Sequence, residues 1–179
     1  MKSIKNVCRL FLYLLKLSDW YEWGEVIYLR PITFDGIKEE QWVKRLFGKT
    51  LSVLPGAEMI LHSNYQPMKE GIYRLVILKP TFFDDDSRKV KYIRKKAEIL
   101  KLGNPSIEMG FLAREVISDK TMDAMGVGGI FIMHEPVEDS DGEPWVLSVE
   151  FHSSLRTGFC RPNDWFTDEG PAFLFVSLK

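Results

Sequence analysis

The chain has 179 residues, of which 45% are hydrophobic, 27% charged and 13% aromatic. That balance belongs to a folding domain and excludes a disordered chain, a collagen-like repeat or a disulfide-dense miniprotein. The net charge of −1 hides an asymmetry: residues 1–102 carry 19 basic and 12 acidic side chains, whereas residues 103–179 carry 5 and 13.

The first segment, 1–19, reads as an amphipathic helix. Leu10 to Leu15 form an apolar run, with Lys2, Lys5, Arg9 and Lys16 on the remaining surface. Six apolar residues are too few for a secretory leader or a membrane span, and no small-residue cleavage site follows. The helix is expected to dock on the core, with a membrane surface or a partner as the other destinations. Trp20, Tyr21 and Trp23 form an aromatic cluster expected in the core. Glu25 to Ile32 reads as a strand ended by Pro31, and Asp35-Gly36 as a turn. Ile37 to Phe47 reads as a helix stopped by Gly48. Thr50 to Leu54 is a short strand closed by Pro55-Gly56, Glu58 to His62 a second short strand, and Ser63 to Gly71 a loop. Ile72 to Leu78 is an apolar strand.

Asp84, Asp85, Asp86 and Ser87 then precede a helix over Arg88 to Leu102, where acidic groups oppose the helix dipole. Val90, Ile93, Ala97 and Leu100 share its apolar stripe. Asn104-Pro105 opens the next helix, with Ile107, Phe111, Leu112 and Val116 inward. Ser118-Asp119 caps a short helix ended by Gly126. Val127 to Met133 and Trp145 to His152 read as a hairpin with a long loop, which sets His134 opposite Trp145. Ser153 to Pro171 reads as loop, and Phe173 to Leu178 as the last strand. The order predicts an α+β fold in one domain over 1–179, a mostly antiparallel sheet packed against three to four helices.

Gly129 to Pro136, then Asp139-Ser140-Asp141-Gly142, Trp165 and Phe173 to Ser177, resemble a pattern in small uncharacterised bacterial proteins. The likeness covers residues 105–179. It implies a bacterial, intracellular origin and brings no catalytic residue with it.

Seven groups of residues bear on chemistry. His134 sits at a strand end beside Glu135, so imidazole and carboxylate are candidates for general-base catalysis. The competing expectation is a histidine that satisfies a loop carbonyl while Glu135 faces water. The basic helix Arg88–Lys101 is the candidate polyanion surface, with Arg88, Lys91, Arg94 and Lys95 as binding residues for nucleic acid. Against it, the three aspartates at its start repel a phosphate backbone, and its basic residues ring the helix. Asp139 to Gly142 lacks both end ligands of a calcium loop and reads as a turn. Cys8 and Cys160 make no CxxC pair and are expected as reduced thiols. His134 and His152 stand too far apart along a hairpin, at about 3.4 Å per residue, to share a metal. Ser148, Ser153 and Ser154 near His152 lack the elbow of a serine hydrolase, and Gly126 to Gly129 precedes a strand, the reverse of a phosphate loop.

No metal or cofactor is expected. The reading is a cytoplasmic, non-catalytic binding or interaction module with a protein partner or a second copy. An enzyme using His134 and a nucleic-acid binder using Arg88–Lys101 are the alternatives.

Overall fold

The structure is a computed structural model that describes residues 13, 18–34, 36, 41, 44–45, 52–53, 55–63, 68–152 and 154–178. Most of the first expected helix, most of Ile37 to Phe47, Cys8, and the ends of the Thr50 to Leu54 strand lie outside them. Tyr13, Gln41, Lys44 and Arg45 are helical.

The chain opens with a hairpin, β1 (Trp20–Trp23) and β2 (Val26–Leu29), turned at Gly24, whose φ is +63°. The single strand expected from Glu25 is therefore only its second arm. Trp20 is buried and Trp23 is 62% exposed, so the aromatic cluster splits across the strand as period-two alternation requires. β3 (Ile32–Phe34) pairs with β5 (Gly71–Tyr73) in a separate two-stranded sheet. The expected strand Ile72 to Leu78 is broken at Arg74, and its second part, β6 (Leu75–Leu78), joins the main sheet.

β4 (Ser52–Val53) leads to α1 (Pro55–Ser63). The strand expected over Glu58 to His62 is thus a helix. Pro55-Gly56 looked like a stop, but proline fits a helix's first turn, where its missing N–H costs nothing. Ala57 and Ile60, three apart, then share the buried face.

α2 (Val90–Ile99) buries Val90, Ile93 and Ala97 as the stripe predicts, while Leu100 is 40% exposed. The aspartates before it do not cap it. Asp85 to Ser87 close a 3-10 turn of their own, and the first α2 amides go elsewhere: Val90 donates to the Asp164 carbonyl at 3.2 Å and Lys91 to the Pro162 carbonyl at 3.0 Å. After β7 (Leu102–Gly103) comes α3 (Ile107–Val116), which starts beyond Asn104-Pro105. Its Gly110 is buried, and a Cβ there would stand 2.7 Å from Leu147 Cδ1, so the missing side chain lets α3 lie close on the sheet. α4 (Asp119–Met125) has the expected ends. Ser118 Oγ accepts from the Thr121 amide, and Gly126 terminates it at φ +69°.

The remaining strands are β8 (Gly129–Ile132), β9 (Val137–Glu138), β10 (Pro144–Glu150), β11 (Ser154–Phe159) and β12 (Ala172–Ser177). β11 lies where a loop was expected. Its Gly158 is not a loop signal: a Cβ there would meet the Phe131 ring, so the glycine admits a cross-strand aromatic. The main sheet runs β1-β2-β6-β12-β8-β10-β11-β4, with β7 on β12 and β9 on β10. It is mixed: β12–β8 and β11–β4 are parallel, and its other pairings are antiparallel.

The fold is α+β, strand-rich, with four bounded helices among the described residues. Apolar side chains fill both faces of the sheet. One face packs Ile77, Leu147 and Leu174 under α1, α3 and α4, and the other packs Val76, Val146, Phe173 and Phe175 under α2. Burial on both faces explains why the central strands read as continuous apolar runs.

Candidate functional site

α2 packs Val90, Ile93 and Ala97 onto its face of the sheet. Its first turn hangs on the Pro162 and Asp164 carbonyls, and the β9–β10 hairpin rises beside it. A cleft of about 660 Å³ opens between them, lined by Lys91, Arg94, Lys95 and Glu98 from α2. Pro136, Glu138 and Pro144 form the facing wall, and Cys160 and Pro162 are also in the lining. Its volume falls in the small-molecule range, about 300–1,000 Å³.

Arg94 braces the cleft. Its Nη1 donates to the Met133 carbonyl at 3.0 Å and to Asn104 Oδ1 at 3.2 Å, and its Nη2 donates to the His134 carbonyl at 2.8 Å. One guanidinium therefore ties α2 to the end of β8. Lys91 and Lys95 are one helical turn apart, exposed, and in no ion pair among the described residues; Lys91 only passes over the Tyr92 ring at 5.0 Å. Glu98 and Glu138 are likewise unpaired among them. Glu143 is paired with Arg161 at 2.6 Å and Asp119 with Arg114 at 2.7 Å, so neither of these acids is open to a ligand in the way that Glu98 and Glu138 are. A second cavity of about 440 Å³, between Trp20, Leu29 to Thr33 and Val116-Ile117, holds charges that face each other, Arg30 and Asp19 at 3.9 Å.

Of the four basic residues singled out in the sequence, Lys91, Arg94 and Lys95 meet in this cleft, and Arg88 does not. Arg88 is buried at 6% exposure, ion-paired with Asp85, and its Nε has no partner among the described residues. With Arg88 withdrawn and Arg94 spent on carbonyls, two of the four candidate phosphate-binding residues of Arg88–Lys101 are engaged within the protein. Nothing in the sequence marks Glu138, because a facing wall is a tertiary property; Glu98 is on α2 itself, three residues after Lys95.

His134 lies behind the cleft and is closed to it. A straight continuation of β8 along β10 would set His134 opposite Trp145, given Phe131 opposite Ser148; Val137 stands there instead. Three extra residues bulge from the ladder and leave the Leu147 N–H without a backbone acceptor. His134 fills the rung: the Leu147 amide donates to Nε2 at 3.0 Å, and Nδ1 donates to the Glu135 carbonyl at 2.6 Å. The two partners select the neutral tautomer protonated on Nδ1. Burial, at 1% exposure, is the main cause that lowers its pKa from 6.5 to about 4, with the Arg94 charge adding to it. Neither ring nitrogen remains for a substrate, and Glu135 is exposed, bonded to Asn104. The geometry is that of a histidine satisfying a loop carbonyl, and it carries no general-base step.

Cys160 is a free, buried thiol; burial pushes its pKa up, against the nearby Arg94 charge, so it stays protonated. Asp139 closes the hairpin turn, accepting from the Asp141 and Glu143 amides on Oδ1 and from Trp145 Nε1 on Oδ2, with Gly142 at φ +75°. Ser148 is buried and bonded to Glu150. Among the described residues no group of three or more His, Cys, Asp and Glu is placed to hold a metal, and no helix is long and apolar enough to cross a membrane. No protein-family model, curated protein or solved structure matches the chain.

Proposed function

We propose that the protein is a non-catalytic binding module that holds a small ligand by a carboxylate or phosphate group in the cleft between α2 and the β9–β10 hairpin. The observation that carries this is the pair Lys91 and Lys95, adjacent on one face of α2, lining a cleft of about 660 Å³ without an acidic partner among the described residues. Two ammonium groups at this spacing repel each other, and an anion between them relieves that repulsion. The three prolines of the lining offer apolar contact and no N–H donors, so the lysines supply the recognition.

A bacterial cytoplasmic setting goes with this reading and rests on the resemblance over residues 105–179. Self-association is the second reading. It is favoured by the exposed acids of the hairpin, Glu135, Glu138 and Asp141, standing beside a basic α2 on one surface. Native mass spectrometry at low salt tests it: a dimer that separates as salt rises supports it, and a monomer at every concentration removes it.

The cleft reading is tested by titrating isotopically labelled protein with inorganic phosphate, acetate and citrate while following backbone amide shifts. At least one anion moves the amides of Lys91, Arg94, Lys95 and Cys160, and the K91E/K95E double variant loses the response. No response to any of the three, or an equal response in the variant, overturns it.

A further inference from the structure

The cleft's charges are of both signs, and this narrows the ligand further. Along α2 the order is Lys91, Lys95, Glu98, with Glu138 on the facing wall. None of the four pairs with another, although all line the same cleft. A site built for a phosphate-rich ligand gains nothing from two unpaired carboxylates, which repel it. A site for a cation gains nothing from two lysines. The complement of this arrangement is a molecule with a negative end and a positive end.

The spacing sets its length. At about 1.5 Å rise per residue, the midpoint of Lys91 and Lys95 lies about 7.5 Å along the helix axis from Glu98. An extended peptide advances about 3.4 Å per residue, so two or three residues span that interval. Resting on the reading of the cleft as the binding site, we infer that the ligand is a di- or tripeptide with free ends. Its carboxylate lies between Lys91 and Lys95, and its ammonium is held by Glu98 and Glu138. Its side chains pack on Pro136, Pro144 and Pro162. No bond is made or broken.

The test uses the full chain and Ala-X-Ala tripeptides in three forms: free, N-acetylated and C-amidated. Affinity is measured by calorimetry, and the site is located by amide shifts along Lys91 to Ile99 and Val137 to Trp145. The free form binds at the cleft, and blocking either end weakens binding by about tenfold or more, the loss expected for one charge-assisted contact. In E98Q/E138Q, whose exposed substitutions keep the side-chain shape, the free and N-acetyl forms bind equally. If the N-acetyl form binds the wild-type cleft as well as the free form, the inference falls while the cleft reading stands. If no form moves the cleft amides while phosphate, acetate or citrate does, the inference again falls alone. If nothing binds, both fall.

Discussion

Acidification from pH 7 to pH 4.5 destabilises the fold through His134, and His134→Gln removes that sensitivity. In the unfolded chain the imidazole takes a proton at its ordinary 6.5; in the folded chain burial, with the Arg94 charge adding to it, holds it neutral down to about 4. Between these values the unfolded state binds the extra proton, so stability falls as pH falls. The contribution is fully present above about 7 and is exhausted below about 4. Integrated from pH 7 to 4.5, the loss is about 2 kcal/mol, a large share of a domain's typical 5–15. Urea unfolding followed by fluorescence at both pH values reads it directly. The substituted glutamine offers an amide oxygen for the Leu147 N–H but carries no titrating proton. The variant is less stable at pH 7 and loses about 2 kcal/mol less than wild type on acidification, because the carboxylates contribute equally to both. Equal losses in the two proteins would refute the buried, neutral imidazole.

Four further outcomes follow from the packing. Gly158→Ala destabilises by about 1–3 kcal/mol in urea unfolding, because its Cβ meets the Phe131 ring. Arg94→Met leaves the Met133 and His134 carbonyls without their donor and costs about 1–3 kcal/mol, whereas exposed Lys95→Ala stays within about 0.5. Thermal melts of the two variants side by side check the contrast. Ser118→Ala removes the α4 cap and costs about 1 kcal/mol, read as a lower urea midpoint. Cys160 resists iodoacetamide in the native protein and is alkylated on unfolding, as peptide mass mapping reports.

Local patterns in the sequence were legible wherever one element satisfied its own backbone. The stripe Val90, Ile93, Ala97, the Ser118 cap, the Gly126 stop and the Asp139 turn follow from periodicity and turn chemistry within short windows, whereas the expected pairing of His134 with Trp145 is displaced by the bulge. They also sufficed for the α+β class. Residues that serve a neighbour rather than their own segment were misread. Pro55-Gly56 opens a helix, Gly158 makes room for a ring from another strand, and Asp85 serves its own turn while distant carbonyls cap α2.

The candidate site divides along the same line. Lys91, Arg94 and Lys95 share a face because 3.6 residues complete a turn, so the sequence by itself determined that they form one group among the basic residues that ring the helix. Whether that group faced water, a partner or a cleft was decided by the chain's crossing from β8 through the bulge at His134 to β10. That path sets Glu138, Pro136 and Pro144 against α2 and turns Arg94 into a brace. Spacing along a chain constrains contacts one turn or one strand away. The opposing wall comes from residues about 40 positions distant, and only the packing of both sheet faces brings it there.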